Sequence, residues 1–527
     1  MNATSGKNSK LILAAMIFAV SMTFIDQTIV AIAVPTLQDD LHMSATGVQW
    51  IINGYLLALA ALFAFGGRLA DIAGHRRMVV IGVITFATAS ALCGATPTGS
   101  GAEAWMIVFR VIQGAGAALM FPAALAIVLE AFPVAQRGRA LALFFGIAGG
   151  LTCVGPLAGG YLTEWTWRAI FWVNVPVAII ALVLTWKSKP EDVKRPAPLD
   201  YRGTALITGG MALLVLGLQQ SSIWGWGDVK TWAAIAIGVA LLVAFVFYEL
   251  KLTNPLLRLE VFKDRAFAID NVVLFLLMIP FVPLFFFASM YAQISLGESA
   301  QQTGLYLLIF FAGFVLASQR GGQILDRVGA RPAVVSGCAI AAGGFFLWGH
   351  SLTDLSVDSQ WPFIVVAGIG CGLILSPANT DALNRVAKDR YGEATGITQT
   401  VRNFGSSLGL AILGTILITE NRSNLESTLG AKGVPKAVAD EVAKQVSQGP
   451  AGNGASPSGN GPHAEAFYEK VIQPALAHDF ALATRTVFYA MAGVMAVAFV
   501  VALLKMPSGK VEEAIEEEPQ PAAAGPA

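Results

Sequence analysis

Apolar stretches of about twenty residues recur along the whole chain, each long enough to cross ~30 Å of hydrocarbon at a helical rise of ~1.5 Å per residue. About fourteen are readable, near 11–34, 48–68, 78–96, 105–129, 140–162, 169–187, 203–221, 231–249, 267–290, 303–322, 333–350, 361–382, 397–419 and 485–505. Inside lipid every backbone polar group needs a partner within its own segment, which restricts such stretches to helices. With 55% hydrophobic and 13% charged residues, the chain is also too apolar for an ordinary soluble enzyme. The expected fold is all-α and integral to the membrane, with 14 transmembrane helices.

Charge placement orients these spans. Arg76 and Arg77, Arg137 and Arg139, Lys187 to Arg202, Lys251 to Arg265, Arg327 and Arg331, and Arg385 to Arg390 fall in alternate short loops, which are therefore expected in the cytoplasm. The opposite loops carry Asp39, Asp40, Glu103, Glu298, Asp354 and Asp358. Both termini are then cytoplasmic, and the expected location is the cytoplasmic (inner) membrane. The first stretch imitates a signal peptide, with Lys7 and Lys10 ahead of it and Ala31-Ile32-Ala33 as a cleavage-like site. Its length and its Asp26 favour a retained span. A net charge of +0 predicts no nucleic-acid surface. Cys93, Cys153, Cys338 and Cys371 lie in apolar stretches without ligand spacing, so no disulfide, metal or cofactor is expected.

A ten-residue pattern occurs twice. Gly67-Arg68-Leu69-Ala70-Asp71-Ile72-Ala73-Gly74-His75-Arg76 and Gly322-Gln323-Ile324-Leu325-Asp326-Arg327-Val328-Gly329-Ala330-Arg331 each close an apolar stretch on the basic side. Identical internal spacing marks a duplicated unit of the secondary-transporter type. Eight spans separate the copies where a six-plus-six arrangement needs six, so two are extra, and the pair at 203–221 and 231–249 is the expected insertion. The resulting domains are an N-terminal six-helix half (1–190), a linker with two extra helices (191–265), a C-terminal six-helix half (266–506) with an extracytoplasmic loop at 420–484, and a disordered cytoplasmic tail (507–527). That loop has a Gly/Ser/Pro-rich middle at 448–462 between helix-like stretches at 435–446 and 463–482. It reads as a solvated hairpin or as a docking point for a periplasmic adaptor.

An ionisable residue in mid-span costs roughly 2.5–3.5 kcal/mol on insertion scales and needs a compensating role. Asp26 is such a residue, suited to taking a proton from outside and releasing it inside. Arg110 in the fourth span is expected within roughly 6 Å of the same depth. An Asp26/Arg110 contact would be either a proton switch or a permanent ion pair. Gly146, Gly149, Gly150, Gly155, Pro156, Gly159 and Gly160 of the fifth span permit close helix contact and a bend, as ordinary packing or as a gate. Gly67, Asp71, Gly74, Arg76, Arg77, Asp326 and Arg331 of the two cassettes are gating candidates: Asp71 and Asp326 could hold the inner face closed against basic residues, or the cassettes could serve topology and folding alone through Arg76, Arg77 and Arg331. Gln27, Asn53, Gln113, Gln219, Gln220, Asn379 and Asp381 are further polar residues in or near spans and candidates for a substrate pathway. Phe281, Phe285 to Phe287, Met290 and Tyr291 are pocket candidates on a stripe that lipid contact or helix packing explains equally.

These residues resemble a known family, the major facilitator superfamily. GRLADIAGHRR is similar to its signature loop between the second and third helices, RVIQGAGAA to its proton-related fourth-helix motif, and GPLAGG to its fifth-helix antiporter motif. Ile25-Asp26-Gln27-Thr28, Trp167-Arg168 through Pro176, and Arg402-Asn403-Phe404-Gly405 resemble motifs of its fourteen-helix drug:proton antiporters, the EmrB/QacA-like multidrug exporters. Ala31 stands where that first-span motif usually carries Asn. The resemblance implies the major facilitator fold, proton coupling at Asp26, a proton relay at Arg110, gating at Asp71 and antiport at Gly155-Pro156.

The expected activity is non-enzymatic. The chain is expected to be a proton antiporter in the lipid bilayer, powered by the proton gradient, that exports small amphipathic and often cationic drugs or toxic compounds across the cytoplasmic membrane. Export of one endogenous product (an antibiotic, lipid or siderophore) is the alternative, and a non-transporting receptor or scaffold is a third. The sequence contains neither a Ser/His/Asp constellation nor a Gly-x-x-x-x-Gly-Lys-Ser/Thr loop for ATP.

Overall fold

The computed structural model describes residues 3–132, 140, 143–144, 147, 150–190, 199–252, 255–386, 391–432 and 473–509. Arg137, Arg139, Gly146, Gly149, most of the 191–202 linker, Lys388 to Arg390, the middle of the 420–484 loop and the tail from 510 lie outside these residues.

Thirteen helices among the described residues are long and apolar enough to cross a membrane, and the shorter Val154–Trp165 helix, the described end of the fifth predicted stretch, makes a fourteenth. In chain order the spans are α1 (Ala3–Leu41), α2 (Ala45–Ala73), α3 (His75–Gly94), α4 (Ala102–Ala131), α5 (Val154–Trp165), α6 (Asn174–Ser188), α7 (Tyr201–Trp224), α8 (Val229–Glu249), α9 (Arg265–Ile294), α10 (Ala300–Val328), α11 (Ala330–Ser351), α12 (Val357–Asn384), α13 (Tyr391–Ala431) and α14 (Gln473–Lys505). A helical turn at Ala169–Trp172 leads into α6. α5 is the 12-residue end of the fifth predicted stretch, which is helical again at 140, 143–144, 147 and 150.

Local chemistry sets the helix ends. Ser44 Oγ accepts from Gly47 N at 2.9 Å to cap α2, Asp264 caps α9 through Phe267 N at 2.8 Å, and Ser299 with Gln302 forms a capping box on α10. Two helices run past the expected ends of their apolar spans, the second within the helix-like stretch expected at 463–482. α13 continues to Ala431 and α14 begins at Gln473, so both ends of the predicted 420–484 loop are helical. Past Thr419 the sequence turns polar but keeps helical pairing, with Arg422 Nε 2.8 Å from Glu426 Oε1. Thr428 Oγ1 then donates to Asp479 Oδ1 at 2.9 Å and ties the two extensions together.

Packing repeats with an offset of eight spans. α4 lies on α2 and α3 as α12 lies on α10 and α11, and α6 lies on α3 as α14 lies on α11. Glycines make the corresponding contacts close: a methyl on Gly114 would strike Tyr55 O, and one on Gly368 would strike Phe310 O. The halves meet through α5 on α10, α13 on α2, and α1 on α9. α7 and α8 pack against each other outside the repeat, with α7 also resting on α2 and α13. The architecture is therefore two six-helix halves plus two inserted helices.

Candidate functional site

The interior of the first half is built around one carboxylate. Asp26, mid-way along α1, is fully buried, as are Arg110 and Gln113 on α4. Arg110 Nη1 donates to Asp26 Oδ2 at 2.6 Å, and Gln113 Nε2 donates to Asp26 Oδ1 at 2.8 Å. Arg110 Nη1 also lies 2.8 Å from Gln113 Oε1, its Nε donates to Ile51 O at 2.8 Å, and its guanidinium stands 4.5 Å above the Tyr55 ring. Arg110 and Gln113 are one helical turn apart, so a single face of α4 supplies both donors. Each carboxylate oxygen thus has a donor, which is the condition for a desolvated charge to be tolerated. A proton placed on Asp26 would cancel its charge while leaving Arg110 two neutral acceptors, Gln113 Oε1 and Ile51 O.

Gln27, on the same turn of α1, faces the other way into a small cavity between the halves. Its polar lining is Thr23 and Gln27 from α1 with Gln399, Arg402, Asn403 and Ser406 from α13. Phe24, Leu59, Phe121, Met278 and Val282 complete it from α1, α2, α4 and α9. The space is about 20 Å³, room for about one water. A drug-sized guest fits only after the halves move.

Other predicted residues lie elsewhere. Asn53 ties three helices together: its Nδ2 donates to Gln219 Oε1 on α7 at 2.6 Å, and Ser407 of α13 donates to its Oδ1. Phe285 is packed in the second half, stacked on Phe311 at 5.2 Å between ring centroids. Tyr291 belongs to a neutral chain: its hydroxyl donates to Leu352 O at 2.6 Å and accepts from Gln360 Nε2 at 2.7 Å. Gln360 Oε1 in turn accepts from Tyr306 at 2.7 Å, and Tyr306 from Trp348 Nε1 at 3.0 Å. Asn379 is half-buried at the basic end of α12, and the nearby Asp381 pairs with Arg385 at 3.2 Å. Phe285, Tyr291, Asn379 and Asp381 are not among the residues lining the central cavity.

The two cassettes share a backbone and differ in charge contacts. Gly74 (φ 103°) ends α2 and Gly329 (φ 94°) ends α10, each in a conformation that favours glycine, and the next helix starts at once. Asp71 lies 3.1 Å from His75 Nε2, and Glu130 lies 3.4 Å from His75 Nδ1. In the second copy Asp326 is exposed and Arg331 Nη2 donates to Leu503 O at 2.9 Å. Gly67 faces Pro122, Arg76 is half-buried and Arg77 is exposed.

The fifth-span glycines lie where the halves meet. A methyl on Gly155 would strike Thr28, and one on Gly159 would sit 3.0 Å from Ile29 O, both on α1. Gly160 faces Ala300 O of α10, and Gly304 of α10 faces Pro156 O. Ser299 Oγ to Glu164 at 3.0 Å and Gln293 Nε2 to Ile32 O at 2.9 Å close the same acidic-loop end across the halves.

His75, Glu130 and Gln399 are not distinguished by the sequence, Arg402 stands out there only within its motif, and Asp270, near the start of α9, is fully buried. Asp270 and Arg402 carried the signal used for Asp26, a charge inside an apolar stretch. The partners of His75 needed three-dimensional placement.

Two repeated six-helix halves with two inserted helices, around a polar cavity with a buried ion pair beside it, define a multi-pass membrane transporter. The chain belongs to the Major Facilitator Superfamily, which matches residues 16–410. Among characterised proteins it is 33% identical over 525 residues to the tetracenomycin C resistance and export protein of Streptomyces glaucescens, covering 97% of this chain and 94% of that one. It is 35% identical to the puromycin resistance protein pur8 of Streptomyces alboniger (77% and 80% covered). It is 32% identical to the multidrug resistance protein Stp of Mycobacterium tuberculosis (81% and 78%). The fold is also that of a bacterial homologue of the human lysosomal transporter Spinster, in an inward-facing unoccupied conformation. There the TM-score is 0.59 at 15% identity, with 95% of this chain and 97% of that chain covered.

Proposed function

We propose that the chain is a proton-coupled antiporter that exports amphipathic drugs or antibiotics across the cytoplasmic membrane, with both termini in the cytoplasm. The observation that carries this reading is the buried Asp26–Arg110–Gln113 cluster set one residue from Gln27, which lines the central cavity. A proton arriving on Asp26 changes the charge of α1 at the level where substrate would contact it, so proton and substrate act on the same helix. Asp26 is the coupling group and Arg110 with Gln113 its partners. Gly155, Pro156, Gly159 and Gly160 seal the acidic-loop end, which we assign to the outside. Asp71, His75 and Glu130 act as a latch at the basic end. α7 and α8, inserted between residues 191 and 265, brace both halves.

Transport of one dedicated product is the second reading. It is favoured by the near end-to-end match to the tetracenomycin C resistance and export protein, which exceeds the coverage of the multidrug resistance relative. Uptake of a dye and antibiotic panel into inverted vesicles, with and without a proton ionophore, tests both. Ionophore-sensitive uptake of several unrelated compounds supports multidrug export, uptake of one class supports dedicated export, and no ionophore-sensitive uptake overturns antiport.

A further inference from the structure

The cavity's one charged lining residue among those described is Arg402, and its surroundings differ from those of Arg110. A guanidinium has five N–H donors. Arg110 has a carboxylate, an amide oxygen and a backbone carbonyl to receive them. Arg402 has one acceptor, Gln399 Oε1 at 2.9 Å from its Nη1, while its Nε is enclosed without a partner. No carboxylate among the described residues forms an ion pair with it. A lone guanidinium in a membrane interior is costly, and an ionisable residue there is expected to pair with another group or to line a substrate or ion pathway. The cavity offers it from the other side. Gln27 presents a side-chain amide, Gln399, Asn403 and Ser406 add polar groups on the turns of α13 around Arg402, and Phe24 and Phe121, 5.8 Å apart, supply an aromatic wall.

We infer that Arg402, flanked by Gln27 and Gln399, is the recognition point for an anionic group on the exported substrate, which makes the preferred cargo amphipathic aromatic weak acids such as phenolates, enolates or carboxylates. This rests on the export reading above. The guanidinium fork matches two oxygens of a carboxylate or of a peri-hydroxy ketone, while the ring system lies against Phe24 and Phe121. A lipophilic cation would meet an unneutralised positive charge in the same space. Phe285, a pocket candidate from sequence, packs against α10 instead of lining this cavity.

The inference also fixes the electrical sign of transport. Exchange of one inward proton for one outward monovalent anion moves two positive charges inward, whereas one proton for one monovalent cation moves none. The full chain in proteoliposomes, given an imposed pH gradient and two planar aromatic probes of opposite permanent charge, anthraquinone sulfonate and ethidium, tests it. Gradient-driven movement of anthraquinone sulfonate with a net current is expected. Arg402→Gln should lower the rate at least about tenfold, and Arg402→Lys, which keeps a point charge without the fork, should retain part of it. Monodisperse elution of each variant verifies folding. If Arg402→Gln does not fold, Arg402→Lys and the wild-type probe preference decide. Movement of ethidium alone, or of the anion at an unchanged rate in Arg402→Gln, overturns the weak-acid assignment and leaves export standing. Movement of neither probe under the gradient overturns export and this assignment together.

Discussion

The two halves share a backbone plan and differ in what they bury. In the first, α1, α2 and α4 enclose a charged cluster, Asp26 with Arg110 and Gln113, under the face of Tyr55. In the second, the corresponding spans α9, α10 and α12 enclose a neutral chain, Tyr291 with Gln360 and Tyr306, closed by Trp348 of α11. The same contrast holds at the cassettes, where one turn geometry carries a three-residue charge cluster in the first copy and an exposed Asp326 in the second. Duplication preserved the parts that set helix direction and close approach. Both halves bury titratable groups, but among the described residues the first sets its ion pair midway along α1, whereas the second holds Asp270 and the Asp381–Arg385 pair near the basic ends of α9 and α12.

The contrast can be broken first by stability. Arg110→Gln leaves Asp26 buried without its cation and should cost roughly 3–5 kcal/mol. Gln360→Leu, which opens the neutral chain, should cost about 1–3 kcal/mol. Denaturant or thermal unfolding in detergent gives both, and equal losses would erase the distinction. The contact between halves comes next. Gly304→Val drives a side chain across the halves into the Pro156 carbonyl, and Gly155→Val drives one into Thr28 of α1, within the first half behind that contact. Each should overpack by about 1–3 kcal/mol and raise proton leak, measured by the collapse of an imposed pH gradient. Gly74→Ala and Gly329→Ala should be alike, near 1–2 kcal/mol each, since their φ angles of 103° and 94° are equivalent. A large inequality would show that the cassettes are not mechanically matched. His75→Ala should be the smallest, below about 1 kcal/mol because its carboxylate partners are partly solvated. Its effect should fall on transport rate and the basic-end latch, read in vesicle uptake.

Much of this was legible in sequence because membrane constraints are strong. The length of an apolar stretch fixes a span, the repeat of Gly67 to Arg76 at Gly322 to Arg331 fixes the duplication, and an Asp inside an apolar stretch marks a buried site. Asp26 and Arg110 could be brought together from depth alone, since both spans run the full membrane. Position around the helix axis was less legible. Gln113 follows Arg110 by one turn and joins Asp26, whereas Asn53 turns toward α7 and α13 instead of the cavity. Phe285 and Tyr291 face the second half's own helices, which no one-dimensional stripe distinguishes from a pocket lining. The extension of α13 to Ala431 was hidden because a polar helix past an apolar stretch carries no hydropathy signal, whereas the start of α14 at Gln473 falls within the helix-like stretch at 463–482.

Coupling through Asp26 is measured most directly by substrate-evoked proton movement in proteoliposomes, comparing the wild-type chain with Asp26→Asn. The account predicts that Asp26→Asn still binds substrate and still folds, because an amide can keep bonds to Arg110 and Gln113, but that substrate addition no longer moves protons and uphill export stops. Proton movement of wild-type size in Asp26→Asn, with uphill export intact, would contradict it.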